Sequence, residues 1–178
     1  MATKNWIVDP FHSEVLFKIK HLMITTVTGS FSSFQAKVET EDEDFMKAKV
    51  EFTADVSSIS TNNADRDNHL KSPDFFDAQT YPQIKFVATG FESVDNDGSY
   101  ELYGDLTIRD ITKRVKLDTE FGGVIQDAYG NTKAGFSING KINRKEFGLT
   151  WSAVTEAGGV VVSDEVRIAC EIQLIEQQ

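Results

Sequence analysis

The sequence predicts an all-β protein whose roughly eight or nine antiparallel strands form a sandwich or a closed barrel. Alternation of apolar and polar residues, the pattern of a strand with one buried face, recurs from residue 14 to residue 174. Short turn signals separate the alternating runs, which makes successive strands antiparallel neighbours. The only helix predicted is the short segment Ala64–Lys71. A chain of 178 residues is long enough to bury a good core, and we expect one domain, residues 1–178.

The alternating runs supply the strands in order. In the first run Val15, Phe17 and Ile19 share one face, and charged residues occupy the other. The predicted strands are 14–20, 29–39, 48–56, 83–91, 99–109, 115–121, 134–142, 147–154 and 166–174. Turns are predicted at 95–98, 109–113, 127–130 and 158–159, where Asn, Asp and Gly tolerate positive φ or the connection is short.

The inward positions of these strands are rich in aromatic residues, whereas the outward positions are strongly polar. The inward aromatic residues are Phe17, Phe52, Phe86, Phe121, Phe136, Phe147 and Trp151. Barrels of about eight strands either fill with side chains or hold one small ligand. Alternation alone does not distinguish a solid aromatic core from a container, so both remain open at this point.

A long charged loop, residues 59–81, interrupts the β pattern. Loops of this length inside regular structure are usually functional or disordered. Leu70, Phe75 and Phe76 argue against disorder, because these side chains need a surface to pack on. Asn63 is a suitable N-cap for the short helix, and acidic residues occupy its first turn.

Arg66, Asp67 and His69 bring a cation, an acid and a base together in this loop. Catalysis would also require a nucleophile, and the local sequence offers none. Arg66 can instead bind a carboxylate or backbone carbonyls and so pin the loop to the barrel. We therefore favour a structural role for these residues over a catalytic one.

Charge and composition exclude several classes of function. The formal net charge of −10 opposes binding to nucleic acid or to anionic lipid headgroups, and no basic cluster stands out in the sequence. The single cysteine, Cys170, excludes an internal disulfide, fits a reducing compartment and has the parity of a small inward-facing hydrophobe. No run reaches the roughly 20 apolar residues of a membrane span, and the N-terminus lacks a signal-peptide pattern. These features predict a cytoplasmic protein without an integral membrane segment.

Three histidines, His12, His21 and His69, could in principle bind a metal ion. Their spacing matches no ligand motif and they come from different segments, so no metal site is predicted. His21 shares the inward face of the first strand and would lie where that strand ends. This position suits a polar contact at the mouth of a cavity, and equally a hydrogen-bonded histidine at the barrel rim.

Several segments are informative when they are taken together, in their order and spacing: Asp9-Pro-Phe-His-Ser13, Gly29-Ser-Phe31, Ala64-Asp-Arg-Asp-Asn-His-Leu-Lys-Ser72, Asp74-Phe-Phe-Asp77, Tyr81-Pro82, Gly104-Asp-Leu-Thr-Ile108, Gly135-Phe136, Phe147-Gly148 and Val162-Ser-Asp-Glu-Val166. With these segments the chain resembles the YceI-like family of lipid-binding proteins. The resemblance implies an extended, lipocalin-like antiparallel barrel with an apolar tunnel. It further implies that a polyisoprenoid, an isoprenoid quinone or a fatty-acid-like amphiphile is bound, and that the protein forms a homodimer.

On this basis we expect a carrier or sequestering protein that needs no cofactor and is not an enzyme. The residues expected to contact the ligand are Val15, Phe17, Ile19, His21, Phe52, Phe86, Leu106, Ile108, Leu117, Phe136 and Trp151. Arg66, Asp67 and His69 are expected to form a gate at one end of the tunnel. The alternatives are an enzyme that acts on such a lipid with His21 or His69 as acid–base groups, and a stress-related interaction protein that binds no small molecule.

Overall fold

The computed structural model describes residues 2–94, 98–151 and 162–177. Within them the strands are β1 (Thr3–Val8), β2 (Glu14–His21), β3 (Thr25–Phe31), β4 (Phe34–Glu41), β5 (Asp44–Asp55), β6 (Ile59–Ser60), β7 (Gln83–Val94), β8 (Ser99–Ile108), β9 (Ile111–Gln126), β10 (Thr132–Asn143) and β11 (Val162–Gln177). The α-helix α1 spans Ala64–Lys71, and short 3₁₀ turns occupy Pro10–His12, Val56–Ser58 and Arg144–Phe147. No helix in these residues is long and apolar enough to cross a membrane.

The described strands close into an antiparallel barrel of eight rows. β4, β5, β7, β8, β9, β10 and β11 follow one another, and β1 closes the ring by pairing with both β11 and β4. The last residues of β11 pair with β1, while its first part pairs with β2. β1 and β2 therefore share one row, and β3 and β4 share the next. The predicted all-β barrel with one short helix is confirmed.

The row shared by β1 and β2 breaks at the 3₁₀ turn Pro10–His12 for a local reason. Pro10 has no N–H for the sheet, and the Asp9 carboxylate accepts a hydrogen bond from the Phe11 N–H at 3.1 Å. The chain thus leaves the sheet for three residues and resumes beside the same partner strand. β11, at 16 residues, is long enough to serve both halves.

The helix lies where the sequence predicts it. Asn63 caps α1 by accepting a hydrogen bond from the Arg66 N–H at 3.0 Å. The hairpin predicted over 109–113 is a two-residue turn between Ile108 and Ile111, which are register partners. The turn 127–130 also forms, whereas 95–97 and 158–159 lie outside the described residues.

Two strand predictions differ from the structure. The run 29–39 is two strands, because the chain breaks at Ser32 and Ser33 between β3 and β4. The strand predicted over 147–154 is wrong in its described part: a 3₁₀ turn ends at Phe147, Gly148 adopts a φ of 80°, and 149–151 are not paired in a sheet. Residues 152–154 lie outside the described part. The alternation there comes from Phe147 and Leu149, which are buried without being in a strand.

Candidate functional site

A cavity of about 420 Å³ runs through the interior of the barrel. Its wall is built from inward-facing side chains of most barrel strands and from the loop that carries α1. All eleven residues predicted for ligand contact line it: Val15, Phe17, Ile19, His21, Phe52, Phe86, Leu106, Ile108, Leu117, Phe136 and Trp151. Of the three predicted gate residues, Arg66 and His69 line the cavity and Asp67 does not.

Glycines on neighbouring strands help to keep the lumen open. Phe86 on β7 lies so close to Gly104 on β8 that a Cβ added to the glycine would be 2.3 Å from the ring. Phe17 covers Gly29 in the same way, at 2.1 Å. Glycine in a strand often marks such a close approach. Because these rings lie along the wall above a glycine, they occupy less of the central space.

An aromatic cluster closes one end of the cavity, which we call the aromatic end. Phe45 stands at its centre, with ring centroids 5.1 Å from Trp6, 5.4 Å from Phe121 and 5.1 Å from Phe136. Trp6 is almost fully buried and donates a hydrogen bond to the Thr40 hydroxyl at 2.9 Å. Sequence reasoning missed Phe45, which directly follows a run of acidic residues that reads as a turn.

The opposite end, which we call the polar end, is where β2 finishes and β11 begins. Lys20 and Arg66 are the exposed residues among the described side chains that line the cavity, and both belong to this end. The described lining contains the cations Lys20, Arg66 and Arg144 and no carboxylate. In a chain with a net charge of −10, that absence makes the cavity locally favourable to an electron-rich group.

Arg144 ties the polar end together. It is 2% exposed, and its guanidinium donates to the carbonyls of Leu149 at 2.6 Å, Trp151 at 2.7 Å and Ser163 at 2.9 Å. Burial lowers the pKa of Arg144, while the charge of Asp164 opposes that shift. An arginine nevertheless stays protonated in a protein. Arg144 therefore holds 149–151 against the start of β11, a role that sequence reasoning missed.

His69 forms part of an aromatic cluster at this same end. Its ring lies 4.9 Å from the Trp151 ring and 5.1 Å from the Phe75 ring, both edge-on. Its Nε2 atom lies 2.9 Å from an oxygen of Asp74. His69 is thereby connected through Trp151 and Arg144 to the start of β11, where Val162 pairs with His21.

The sequence predicted that Arg66 pins the loop to the barrel, and its side-chain hydrogen bonds go instead to Thr61 at the start of the same loop. Its Nε donates to the Thr61 hydroxyl at 2.7 Å, and its Nη2 to the Thr61 carbonyl at 2.6 Å. The Asp67 carboxylate accepts from the Thr61 N–H at 2.8 Å and from the Thr61 hydroxyl at 2.6 Å. Asp67 is thus a structural partner of the loop and lies outside the cavity lining.

Two weakly polar groups lie deeper in the lumen. Thr119 is 4% exposed, and its hydroxyl has no hydrogen-bond partner among the described residues. Burial raises the pKa of the Cys170 thiol to about 11, so the reactive thiolate is scarce at neutral pH. Among the described residues no three His, Cys, Asp or Glu side chains lie close enough together to hold a metal ion.

The YceI-like domain family matches residues 6–174 of the sequence. The chain belongs to the YceI-like family. A family relative, the UPF0312 protein of Staphylococcus aureus strain USA300, is 40% identical over 164 residues, which cover 92% of each chain. The crystal structure of the Campylobacter jejuni YceI protein is 35% identical with a TM-score of 0.75, over 90% of this chain and 91% of that one.

A third similar protein is a polyisoprenoid-binding domain from Saccharophagus degradans. Its structure superposes with a TM-score of 0.70, covering 97% of this chain and 98% of that chain. The sequences are only 12% identical, so this likeness concerns the fold alone. Together the comparisons agree with the closed eight-row barrel of this YceI-like protein.

Proposed function

We propose that this YceI-like protein binds a long-chain apolar ligand, such as a polyisoprenoid, an isoprenoid quinone or a fatty-acid-like amphiphile, and carries or sequesters it. One observation carries the proposal: a hollow of about 420 Å³ inside a closed barrel, apolar along its length and cationic at one end. Ligand pockets of small molecules typically have volumes of about 300–1,000 Å³ and mostly apolar walls with a few placed polar groups.

Burial of the ligand chain would supply most of the affinity. Each CH₂ group removed from water contributes about 0.8 kcal/mol, so about ten buried groups contribute about 8 kcal/mol before the cost of immobilising the ligand. That gross value corresponds to dissociation constants near the micromolar range. An apolar wall discriminates poorly between chains, so selectivity would come from chain length and from the polar groups at the ends.

The polar end supports an orientation for the ligand. Lys20 and Arg66 are exposed cations there, and His21 and His69 add two imidazoles. A polar or anionic head would lie against these groups, with its chain directed toward Phe45 at the aromatic end. The Saccharophagus degradans domain, described as polyisoprenoid-binding, has the same fold. This likeness supports the choice of ligand class.

A non-enzymatic role is part of this proposal, and the candidate nucleophiles support it. The Thr61 hydroxyl is held by Arg66 and Asp67. The Thr119 hydroxyl lies away from both imidazoles, on β9, and the raised pKa of Cys170 keeps its thiol protonated. His69 is engaged with Asp74 and two aromatic rings, as expected of a side chain that braces a loop.

The proposal is tested by filling the lumen. Ile138 and Asn139 are neighbours on β10; Ile138 lines the cavity, whereas Asn139 is exposed on the outer face. Ile138→Trp is expected to lower uptake of a prenyl quinone by about tenfold or more, because the ring occupies space that the chain needs. Asn139→Trp, the matched control, is expected to bind normally. Uptake would be followed by mass spectrometry of organic extracts, because each variant adds a tryptophan that would confound a fluorescence readout.

Two results would count against the carrier proposal. The first is an extract without any lipid together with no uptake of the quinone by the wild-type protein. The second is equal uptake by the Ile138→Trp and Asn139→Trp variants, which would place the ligand outside the lumen. Circular dichroism of each variant establishes that the barrel is intact before uptake is compared.

A further inference from the structure

The turn between β2 and β3 carries three consecutive exposed apolar side chains. Leu22, Met23 and Ile24 are 39%, 58% and 77% exposed. Leu22 and Met23 also adopt positive φ values of 52° and 60°, where glycine or asparagine is the usual choice. Neither burial nor turn geometry accounts for apolar residues here. We call these three residues the hairpin tip.

The hairpin tip lies at the rim of the polar end. It follows His21 directly, and His21 lines the cavity. Lys20, one residue earlier, is exposed and also belongs to the cavity lining. A molecule that enters or leaves the cavity beside Lys20 therefore passes close to the tip.

Basic side chains flank the tip on the outer face of the barrel. Lys141 on β10 pairs with Arg167 on β11, which pairs in turn with Lys18 on β2. All three side chains are exposed. Like charges placed directly opposite one another destabilise a sheet. Glu165 partly offsets this row, at 3.6 Å from Lys141 and 3.9 Å from Arg167. The net charge of −10 predicts that the chain as a whole is repelled by anionic lipid headgroups, and this row is a local exception to that expectation beside the tip.

We propose that the hairpin tip and this basic row dock the protein on an anionic lipid bilayer. At about 3.4 Å per residue along β2, Lys20 lies about 7 Å and Lys18 about 14 Å behind Leu22. Apolar groups that bind at a membrane interface bury about 5–10 Å deep, which would place Lys20 near the level of the phosphates and Lys18 just above them. Docking would let a lipid move between the bilayer and the cavity, and in this respect the docking proposal rests on the proposed function.

Charge favours a bilayer over a second copy of this chain as the partner of the tip. In a two-fold dimer the same surface meets itself, so the row of Lys18, Arg167 and Lys141 would approach its own copy. Like charges would then oppose the association. An anionic bilayer complements both halves of the surface, the apolar tip and the basic row.

Sedimentation with ligand-free vesicles tests the docking. The wild-type protein is expected to sediment with vesicles of equal parts phosphatidylglycerol and phosphatidylcholine, more weakly with pure phosphatidylcholine, and less as salt is raised. The double variant Met23→Asn and Ile24→Asn is expected to bind about tenfold more weakly, since asparagine tolerates positive φ while removing the apolar groups. Lys18→Gln with Lys20→Gln is expected to weaken the preference for phosphatidylglycerol, while Arg167 and Lys141 keep part of it.

Ile125→Asn is the matched control. Ile125 is 67% exposed on the outer face of β9. It lies at the level of Ile175, thirteen residues along β11 from Val162, the partner of His21. This variant removes an isoleucine that is also largely exposed, but at the opposite end of the barrel, and it is expected to leave vesicle binding unchanged.

The outcomes separate this proposal from the carrier proposal. Uptake of a prenyl quinone delivered from ethanol requires the cavity and no bilayer. Normal uptake without vesicle binding overturns the docking alone, and vesicle binding without uptake overturns the carrier alone. If the tip variants convert a dimer to a monomer in light scattering and vesicles bind none of the proteins, the tip is a subunit interface and the docking proposal is wrong.

Discussion

Among the described residues Thr119 and Arg109 each have a buried polar side-chain atom without a hydrogen-bond partner, and of the two only Thr119 lines the cavity. Its hydroxyl is buried on β9 without a hydrogen-bond partner among the described residues. A buried polar group without a partner costs about 1–3 kcal/mol. The other polar groups of the lining belong mainly to the polar end, and the register partner of Thr119 on β10 is the apolar Ile138. A ligand that carries a hydrogen-bond acceptor at this depth would satisfy the hydroxyl.

Replacing Thr119 by valine, which has nearly the same shape, tests this idea. Thr119→Val is expected to stabilise the empty protein by about 1 kcal/mol, because an unpaired hydroxyl is removed from the interior. The same variant is expected to bind a prenyl quinone about tenfold more weakly, while its affinity for a prenyl hydrocarbon of equal length stays unchanged. Thr119→Ser keeps the hydroxyl and should retain the quinone affinity. Equal losses for both ligands would show that Thr119 contributes shape only.

The pairing of neighbouring strands explains how a barrel rich in phenylalanine stays hollow. Large inward side chains on one strand lie over glycines on the next, as Phe17 does over Gly29 and Phe86 over Gly104. Leu117 lies over Gly140 in the same manner. The arrangement depends on register, because a shift of one residue would turn each large side chain to the other face.

A pair of glycine substitutions measures this dependence. A Cβ at Gly104 would lie 2.3 Å from the Phe86 ring and 2.7 Å from the Val87 carbonyl oxygen, so both a ring and the backbone must move. Gly104→Ala is expected to cost about 1–3 kcal/mol, seen as a lower urea midpoint. At Gly140 the close contact is the flexible end of Leu117, at 2.4 Å. Gly140→Ala should therefore cost less; equal midpoints for the two variants would contradict the argument.

Alternation predicted most strands because one wet face and one apolar face leave a strong signal. β1 escaped prediction because Ile7 faces outward at 41% exposure beside the buried Trp6, which blurs the alternation. The segment after β10 was predicted wrongly because Phe147 and Leu149 have strand parity but owe their burial to Arg144 and the turn around it. Local pattern does not encode which long-range contact buries a side chain.

The alternation of apolar and polar residues also predicted part of the candidate site. Parity alone identifies Phe52 or Leu106 as inward, yet it does not tell whether the opposite wall leaves room for a ligand. Strand glycines are the signal that could have indicated a hollow lumen, because glycine in a strand often marks a close approach. Phe45 and Arg144 depend on contacts with distant strands and could not be inferred from their neighbours in sequence.

For the whole molecule, closure of the barrel depends on the junction between β1 and β2. Asp9, 5% exposed, accepts a hydrogen bond from Lys133 on β10 at 3.1 Å and lies 2.7 Å from His12 Nδ1. Lys133 also contacts Asp127 at 3.5 Å in the turn before β10. This network links β1, β2, β10 and the turn after β9 at the place where the sheet row is broken. The homodimer and the cytoplasmic location stay predictions.

The stability of the fold in acid should depend on the hydrogen bonds of Asp9 at this junction. Burial alone would raise the pKa of Asp9, but the hydrogen bonds from His12 and Lys133 outweigh it and hold that pKa below its usual value. A carboxylate whose folded-state pKa is depressed stabilises the fold above its unfolded pKa of about 3.9, and this contribution disappears as the pH falls through the folded-state pKa. The fold should therefore lose stability in acid, and Asp9 should account for part of the loss.

Asp9→Asn isolates that part. At neutral pH the variant is expected to lose about 1–3 kcal/mol, because Lys133 keeps a weaker, uncharged partner, and its Tm should fall by several degrees. As the pH falls from the unfolded pKa of Asp9 through its lower folded-state pKa, the contribution of the carboxylate disappears, and the gap in Tm between the two proteins should narrow toward zero. The exposed Asp105→Asn on β8 serves as the control and should match the wild-type protein throughout. A gap that stays constant from neutral to acid pH would show that the charge of Asp9 does not stabilise the closed barrel.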